Sequence, residues 1–368
     1  MGIYRIVGDR LLNDKEYLQE TIRNIPKPDG LGMSEFSLTL DHVINSLAPP
    51  HAEPSLLEPS SATGFAPIGI GKPLTIQIRH IYTGKFPEAG MFKDKDVAIF
   101  SSLKDYSEFA AATRALNYLQ KDTDAHSHIH TFDATIQGTP IIAYYPSVLS
   151  NSLSLTLEIA VDDFPEDVVK VLSESISGAA KIPLLLPYAG YLFAADSVIR
   201  IAGSIGNRLF DTHAEFSISE SINFDLPGSP SATADFRLLC RSDGLAADYR
   251  YVDGQGLISR TSGHSYTGDQ PYVVISLNGA VQEDLVDFAA SAASAGVLKR
   301  FFDISEEGQS SIKDLMEGLM LLSDWRFREK AVKLDDAIAA LPDGAERTKL
   351  MQKRDAIIAN INNKALKP

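Results

Sequence analysis

The sequence predicts an α+β protein in which an antiparallel β-sandwich with inserted helices precedes a C-terminal helical bundle or hairpin. Polar and apolar side chains alternate from Leu74 to Arg79 and from Leu153 to Val161, a pattern typical of antiparallel strands with one buried face. After Leu277, apolar residues recur at helical spacing almost to the C-terminus. The chain has 368 residues, of which 44% are hydrophobic, so it can bury a sizeable core and global disorder is excluded.

Changes of pattern along the chain predict three segments. They are N-terminal helices with a Pro-rich linker (residues 1–73), the β-sandwich (74–278) and a C-terminal helical domain (279–368). Asn13 and Glu16 have the spacing of a capping box and predict a short helix after Asn13. Two helical insertions are predicted inside the sandwich, over 103–120 and 166–210. The turn that begins at Pro342 separates the last two helices, which are therefore expected to form an antiparallel hairpin.

Further short strands are separated by turns that contain Gly or Pro. They are predicted at 97–101, 129–136, 141–145, 216–224, 236–240, 249–252 and 272–277. Many short strands joined by such turns are typical of a sandwich.

The charge is distributed unevenly along the chain. The formal net charge is -14, from 34 Lys and Arg against 48 Asp and Glu. Residues 300–368 carry 12 basic and 12 acidic side chains, so the whole excess, 22 basic against 36 acidic, lies in residues 1–299. An acidic chain of this kind is not expected to bind nucleic acid without sequence preference, because Lys and Arg supply most of the affinity for phosphates.

A single cysteine, Cys240, excludes an intrachain disulfide and a zinc site built from several thiolates. The first residues contain no apolar run before Arg5, so no secretory signal is expected. Both observations predict a cytoplasmic, reducing location.

Three histidines at alternate positions form the best candidate for chemistry. In a strand, the side chains of His126, His128 and His130 leave the same face, and imidazoles at this spacing suit zinc or another divalent metal. Asp124 is a candidate fourth ligand. The alternative is a solvated strand edge, because the same face continues with apolar residues over 132–136.

Acidic residues recur in two loops that adjoin predicted strands. The candidates are Asp94 and Asp96 in the first loop and Asp162, Asp163 and Asp167 in the second. Flexible loops rich in carboxylates are the kind of site that Ca²⁺ prefers. The alternative is that these aspartates serve only as helix caps and turn residues.

Three sequence stretches resemble a C2 domain over about residues 74–225. They are Leu-Thr-Ile-Gln-Ile-Arg from Leu74, Gly-Met-Phe-Lys-Asp-Lys-Asp-Val-Ala-Ile-Phe from Gly90, and Leu-Thr-Leu-Glu-Ile-Ala-Val-Asp-Asp from Leu155. They look like the opening strand, the first loop and the third loop of that family. The resemblance implies an eight-stranded sandwich whose loops bind Ca²⁺ and acidic lipid, or which serves as a protein-docking scaffold. Asp96, Asp162 and Asp167 would then stand where the family places Ca²⁺-ligating aspartates.

The segment 182–205 is long and apolar enough to invite a membrane interpretation. Its membrane-active candidates are Leu184, Leu185, Leu186, Tyr188, Tyr191, Leu192 and Phe193. Pro183, Pro187, Asp196 and Arg200 each oppose insertion, so a helical hairpin buried against the sandwich is favoured. The alternative is a pore-forming effector that stores this segment in the folded protein.

No complete catalytic motif stands in the sequence, and the chain is therefore interpreted as a non-catalytic protein. The glycines at 69 and 71 lack the partners of a phosphate-binding loop, and Ser204 follows a helical run rather than a strand. The expected function is a binding or effector module that contacts a protein partner, with Ca²⁺-dependent membrane contact as one version. The alternatives are a metal-dependent hydrolase that uses the three histidines, and the pore-forming effector.

Overall fold

The computed structural model describes only part of the chain. The described residues are 2–23, 65–86, 95–105, 113–130, 137–138, 140–162, 216–225, 231–241, 244–282, 285 and 312–368. They form a mixed α+β structure with antiparallel sheets and a C-terminal pair of helices.

The described strands and helices run in the following order. The strands are β1 (Gly2–Val7), β2 (Arg10–Asn13), β3 (Leu74–Tyr82), β4 (Lys95–Asp105), β5 (Thr113–Thr123), β6 (His128–His130), β7 (Gln137–Gly138), β8 (Ile141–Tyr145), β9 (Ser152–Asp162), β10 (Phe216–Asn223), β11 (Phe236–Cys240), β12 (Tyr249–Val252), β13 (Gly256–Ser259) and β14 (Tyr272–Asn278). The helices are α1 (Asp14–Arg23), α2 (Leu245–Asp248), α3 (Ile312–Ala339) and α4 (Ala345–Ala359), followed by a 3-10 turn at Lys364–Leu366.

The strands form two large sheets and one separate hairpin. The seven-stranded sheet has the order β2-β1-β11-β14-β3-β6, and β8 also pairs with β3. The five-stranded sheet has the order β10-β9-β4-β5-β7, and β12 pairs with β13. Every pairing between these described strands is antiparallel. The seven-stranded sheet thus draws strands from both sides of the segment that resembles a C2 domain.

The two large sheets share one hydrophobic core. Alternate residues of β3, such as Ile76 and Ile78, and alternate residues of β9, such as Leu155 and Leu157, are fully buried in it. Burial of one face of each strand explains the alternation seen in the sequence. The opposite face of the seven-stranded sheet forms a second, smaller core with α2, β12 and β13.

The structure confirms several local predictions. β8, β11 and β12 match the predicted strands residue for residue. The capping box is formed: the Asn13 Oδ1 accepts the Glu16 N–H at 2.9 Å, and the Glu16 Oε2 accepts the Asn13 N–H at 3.0 Å. Helix α1 follows at Asp14, as the capping box predicts.

The helix predicted over 103–120 is wrong where the structure describes it. Residues 103–105 end β4, and residues 113–123 form β5. Two register shifts against β4 explain the error. One lies between Tyr118, which pairs with Ile99, and Leu116, which pairs with Phe100; the other lies between the partners of Lys95 and Val97. A bulge adds a residue and breaks the period of two, so the apolar spacing in the sequence imitates a helix. The helix predicted over 166–210 lies outside the described residues.

Besides β5, strands β1, β2, β7 and β13 have no counterpart among the predicted strands. Residues of β1 are buried on both faces, since Tyr4 lies in the second core and Arg5 is also buried. A strand covered on both sides does not show the alternation on which a sequence prediction depends.

The C-terminal helices pack against each other and against the segments that precede β3 and follow β8. Arg354 on α4 forms an ion pair with Asp335 on α3, with 2.8 Å between the Nε and the Oδ1. The Asn360 Nδ2, just after α4, donates to the Ser147 carbonyl at 3.0 Å. Ala356 is buried next to Gly71. The helical pair is therefore anchored where the chain enters β3 and leaves β8.

Candidate functional site

A bulge in β3 turns His80 and Tyr82 to the outer face of the seven-stranded sheet. Ile78 pairs with Ile275, but His80 pairs with the preceding residue, Val274, so Arg79 is the extra residue. Before the bulge the even-numbered residues of β3 face the core between the sheets. After it, His80 and Tyr82 face the opposite side.

These two residues belong to a cluster of imidazole and phenol rings, which we call the His–Tyr cluster. Its members are His80, Tyr82, His126, His128, Tyr266 and Tyr272. The Tyr272 ring stacks on Tyr82 with centroids 5.3 Å apart and on His80 with centroids 5.6 Å apart. Tyr266 meets Tyr82 edge to face at 5.1 Å. The cluster is thus a packed aromatic layer with polar atoms at its rim.

Two histidines in the layer are hydrogen-bonded to each other. The His80 Nε2 and the His128 Nδ1 are 3.0 Å apart, and His80 is fully buried. One of these nitrogens must carry the proton while the other accepts it. Protonation of both rings would leave two N–H groups facing each other, so the pair holds only one proton at this contact.

His126 lies at the solvent edge of the cluster, where Tyr82 defines its tautomer. The Tyr82 hydroxyl donates to the Gly268 carbonyl at 2.9 Å, and its oxygen is also 2.9 Å from the His126 Nδ1. Because a phenol has only one proton, the His126 Nδ1 must be the donor to Tyr82. The His126 Nε2 then faces Asp269, with 3.8 Å between the nitrogen and Oδ1.

The tyrosines of the cluster are held in their neutral form. Burial is the main cause that raises the pKa of Tyr82 and Tyr272, and it also raises the pKa of Tyr266. Their hydroxyls therefore act as hydrogen-bond donors and acceptors at neutral pH. They are not poised to act as bases or nucleophiles.

The β12–β13 hairpin covers the cluster from outside. The Tyr272 hydroxyl accepts the Leu257 N–H at 2.9 Å. The Asp253 carboxylate accepts hydrogen bonds from Arg79 on β3, at 2.5 Å, and from the Tyr251 hydroxyl, at 2.8 Å. Burial opposes ionisation of Asp253, but these two hydrogen bonds hold its pKa below the ordinary value. The hairpin is thereby fixed to the sheet by a charged aspartate.

The three histidines predicted to bind a metal do not share one strand. His126 has a φ of 61° and lies in a turn, whereas His128 and His130 begin and end β6. Asp124 is exposed. Among the residues whose side chains are described, which do not include that of His130, no group of three His, Cys, Asp or Glu is arranged to hold a metal ion.

Two of the predicted Ca²⁺ ligands are brought together by sheet register. Asp96 on β4 pairs directly with Asp162 on β9. Asp96 is buried, and its Oδ1 accepts the Asp122 N–H at 3.2 Å, next to a bulge of β5. Asp96 thus lies inside β4 and not in a loop, and its carboxylate accepts a backbone hydrogen bond from β5. Asp94, Asp163 and Asp167 lie outside the described residues.

A second candidate site is an exposed row of side chains on α3, which we call the α3 stripe. It consists of Leu321, Trp325, Arg328 and Val332, and all four are exposed. At 100° per residue they lie within an arc of about 60°. The buried residues Asp324, Ala331 and Ile338 occupy the neighbouring face. The α3 stripe therefore lies beside the face that holds the helix in place and is not part of it.

Most of the His–Tyr cluster was not predicted as a site. His80, Tyr82, Tyr266 and Tyr272 come from strands and loops that are distant in sequence. One feature of the sequence could have indicated the bulge. The apolar residues of β3 alternate up to Ile78, but the next one, Ile81, follows after three residues, and both are buried.

The predicted membrane-active residues of segment 182–205 lie outside the described residues. No helix in the part that is described has the length and apolar character needed to cross a membrane. No protein-family model, curated protein or solved structure matches the chain.

Proposed function

We propose that this protein is a non-catalytic binding module that contacts a protein partner through the α3 stripe. The observation that carries the proposal is the exposure of large apolar side chains along one line of α3. Leu321 and Trp325 are each 53% exposed and Val332 is 43% exposed. Apolar patches centred on Trp, with Arg nearby, are typical of the residues that dominate binding energy at protein interfaces.

The distribution of charge supports a protein partner over an anionic surface. The α3 stripe belongs to residues 300–368, which carry equal numbers of basic and acidic side chains. A segment without net charge has no net attraction for acidic lipid or for nucleic acid. Its apolar side chains supply the free energy of association instead.

Photo-crosslinking from the α3 stripe tests this function. Trp325 is replaced in the full-length chain by a photoreactive phenylalanine derivative, and the protein is irradiated in cells that express it. A discrete protein adduct is expected. The matched control carries the same group at Val281, which is 68% exposed and lies outside the helical pair. Equal labelling from both positions, or no adduct from position 325, would overturn the proposal.

We further propose that the two-sheet body is a C2-like sandwich, with Ca²⁺-dependent membrane contact as one version of the function. The sandwich is supported by the antiparallel sheets that share one core. Ca²⁺ binding is supported by the pairing of Asp96 with Asp162. Liposome flotation of the full-length protein with and without Ca²⁺ tests it. Absence of binding to any lipid mixture in both conditions would remove it.

A metal-dependent hydrolase is the second proposed function. It rests on the spacing of His126, His128 and His130 in the sequence, and His126 and His128 share one cluster with His80. A metal held there would lower the pKa of a bound water and so supply a nucleophile. Elemental analysis of the purified protein and of His128→Ala tests this function, with the exposed His264→Ala as control. A metal content that is the same in all three proteins would exclude this site.

The pore-forming alternative rests on segment 182–205 and predicts release of a trapped dye from liposomes. Liposomes that stay intact after limited proteolysis of the protein would exclude it. The cytoplasmic location stays a prediction. Cys240, on which that prediction partly rests, is fully buried in the second core.

A further inference from the structure

We propose that the partner of the α3 stripe is a second copy of this chain, with the two α3 helices packed antiparallel across a twofold axis. This inference rests on the proposed function and names its partner. The reason is that the α3 stripe is complementary to itself.

The spacing of the α3 stripe is symmetric along the helix. Leu321, Trp325, Arg328 and Val332 are separated by four, three and four residues. A twofold axis midway between Trp325 and Arg328 therefore places Leu321 opposite Val332 of the second copy and Trp325 opposite Arg328 of the second copy. The same contacts recur on the other side of the axis, as an isologous interface requires.

Each of these contacts is chemically favourable. The Leu–Val pairs bury apolar surface at both ends of a row about 16 Å long. The Trp–Arg pairs place a guanidinium against an indole face, and indole is the aromatic ring that cations favour most. A parallel arrangement in register would instead place the two Arg328 side chains together, so the antiparallel arrangement is favoured.

The charge distribution allows two identical acidic chains to meet at this surface. The excess of acidic residues lies in residues 1–299, whereas the segment that contains α3 is neutral. Association through α3 therefore brings together two segments that carry no net charge. Repulsion between the acidic bodies is a longer-range effect that salt screens. The dimer is thus expected to become tighter, not weaker, as the salt concentration rises.

The fluorescence of Trp325 can be used to follow this association, because it is the only tryptophan of the chain. Full-length protein is followed over about a thousandfold range of concentration by sedimentation equilibrium and by tryptophan emission. We expect a monomer–dimer equilibrium and a blue shift of the emission that follows the dimer fraction. A monomer throughout, with constant emission, would overturn the inference.

A matched pair of variants separates the α3 stripe from general surface effects. Val332→Asp places a carboxylate opposite Leu321 of the second copy and is expected to raise the dissociation constant at least about tenfold. Val281→Asp makes the same change at another exposed valine and is expected to leave it unchanged. Equal effects of the two substitutions would overturn the inference, and circular dichroism checks that both variants are folded.

A residue swap tests the antiparallel register. Trp325→Arg alone places two cations opposite each other on each side of the axis, so the dimer should dissociate. Adding Arg328→Trp to this variant restores an Arg–Trp pair at both places, so the dimer should return. A loss that the second substitution does not reverse would overturn the register.

The photoreactive group at position 325 distinguishes failure of this inference from failure of the proposed function. With purified protein alone, an adduct of twice the chain mass supports the dimer. If the purified protein stays monomeric but yields an adduct with a different protein in cells, the dimer is wrong and the proposed function stands. If neither adduct forms, both are overturned.

Discussion

At the scale of single residues, Gly256 shows how closely the β12–β13 hairpin approaches the His–Tyr cluster. Its φ is +87°, in the left-handed region that glycine tolerates best. A Cβ at this position would lie 2.5 Å from the His80 Nε2 and 2.6 Å from the Tyr272 hydroxyl oxygen. The absence of a side chain is thus what allows the hairpin to cover these two rings.

Gly256→Ala should therefore destabilise the protein strongly. Backbone strain and the clash with His80 and Tyr272 together are expected to lower the free energy of unfolding by roughly 2–4 kcal/mol. The control is Gly254→Ala, where φ is +78° but no atom lies within 4 Å of the added Cβ, so a loss of only about 1 kcal/mol is expected. Urea unfolding measures both variants, and equal losses would show that contact with the two rings is unimportant.

At the scale of elements, Asp324 joins the middle of α3 to the end of the chain. It is 3% exposed, and its Oδ1 and Oδ2 accept the N–H groups of Asn362 and Asn363 at 3.2 and 2.7 Å. These N–H groups precede the 3-10 turn at Lys364–Leu366. A buried carboxylate with two backbone donors thereby holds the C-terminal residues against α3.

Asp324→Ala should release this C-terminal connection. Two backbone N–H groups would lose their charged acceptor, at a cost of about 2–3 kcal/mol. Hydrogen exchange should show faster exchange at Asn362, Asn363 and the 3-10 turn than in the wild-type protein. Asp336→Ala, an exposed aspartate on the same helix, is the control and should leave these amides protected. Protection that survives in Asp324→Ala would contradict the role of the carboxylate.

At the scale of the whole molecule, a buried ionic pair connects the two large sheets. Arg237 on β11 contacts Glu220 on β10, and its Nε donates to the Asp235 Oδ1 at 2.9 Å. Arg5 on β1 lies 3.8 Å from the other oxygen of Asp235. The side chains of these two arginines and two carboxylates are each at most 8% exposed. Burial raises the pKa of Glu220, although the neighbouring Arg237 opposes this shift.

The raised pKa of Glu220 predicts how stability depends on pH. In the unfolded chain this carboxyl ionises near its ordinary value of 4.5, whereas the folded protein retains the proton to higher pH. Between these values the folded state binds more protons, so the free energy of unfolding should fall as pH rises through this window. Glu220→Gln should remove this part of the slope, whereas the exposed Glu346→Gln should not. Urea unfolding at successive pH values measures it, and identical slopes in all three proteins would refute the prediction.

A feature of the fold can be predicted from the sequence when the residues that cause it are close together along the chain. The capping box of Asn13 and Glu16 needs only residues three apart, so α1 could be predicted. The alternation of Leu153 to Val161 reflects a strand with one face in the core, so β9 could be predicted. The bulges in β5 could not, because they depend on pairing with β4. An extra residue in one strand has meaning only relative to its neighbour.

The sequence by itself determined the antiparallel strands, the C-terminal helices and the neutral charge of the last segment, because periodicity and composition are properties of neighbouring residues. Only the tertiary structure decided which of these residues meet. The bulge at Arg79 turns His80 toward His128, and the packing of one side of α3 leaves Trp325 exposed on the other. Both outcomes depend on long-range pairing and burial, which spacing along the chain does not specify.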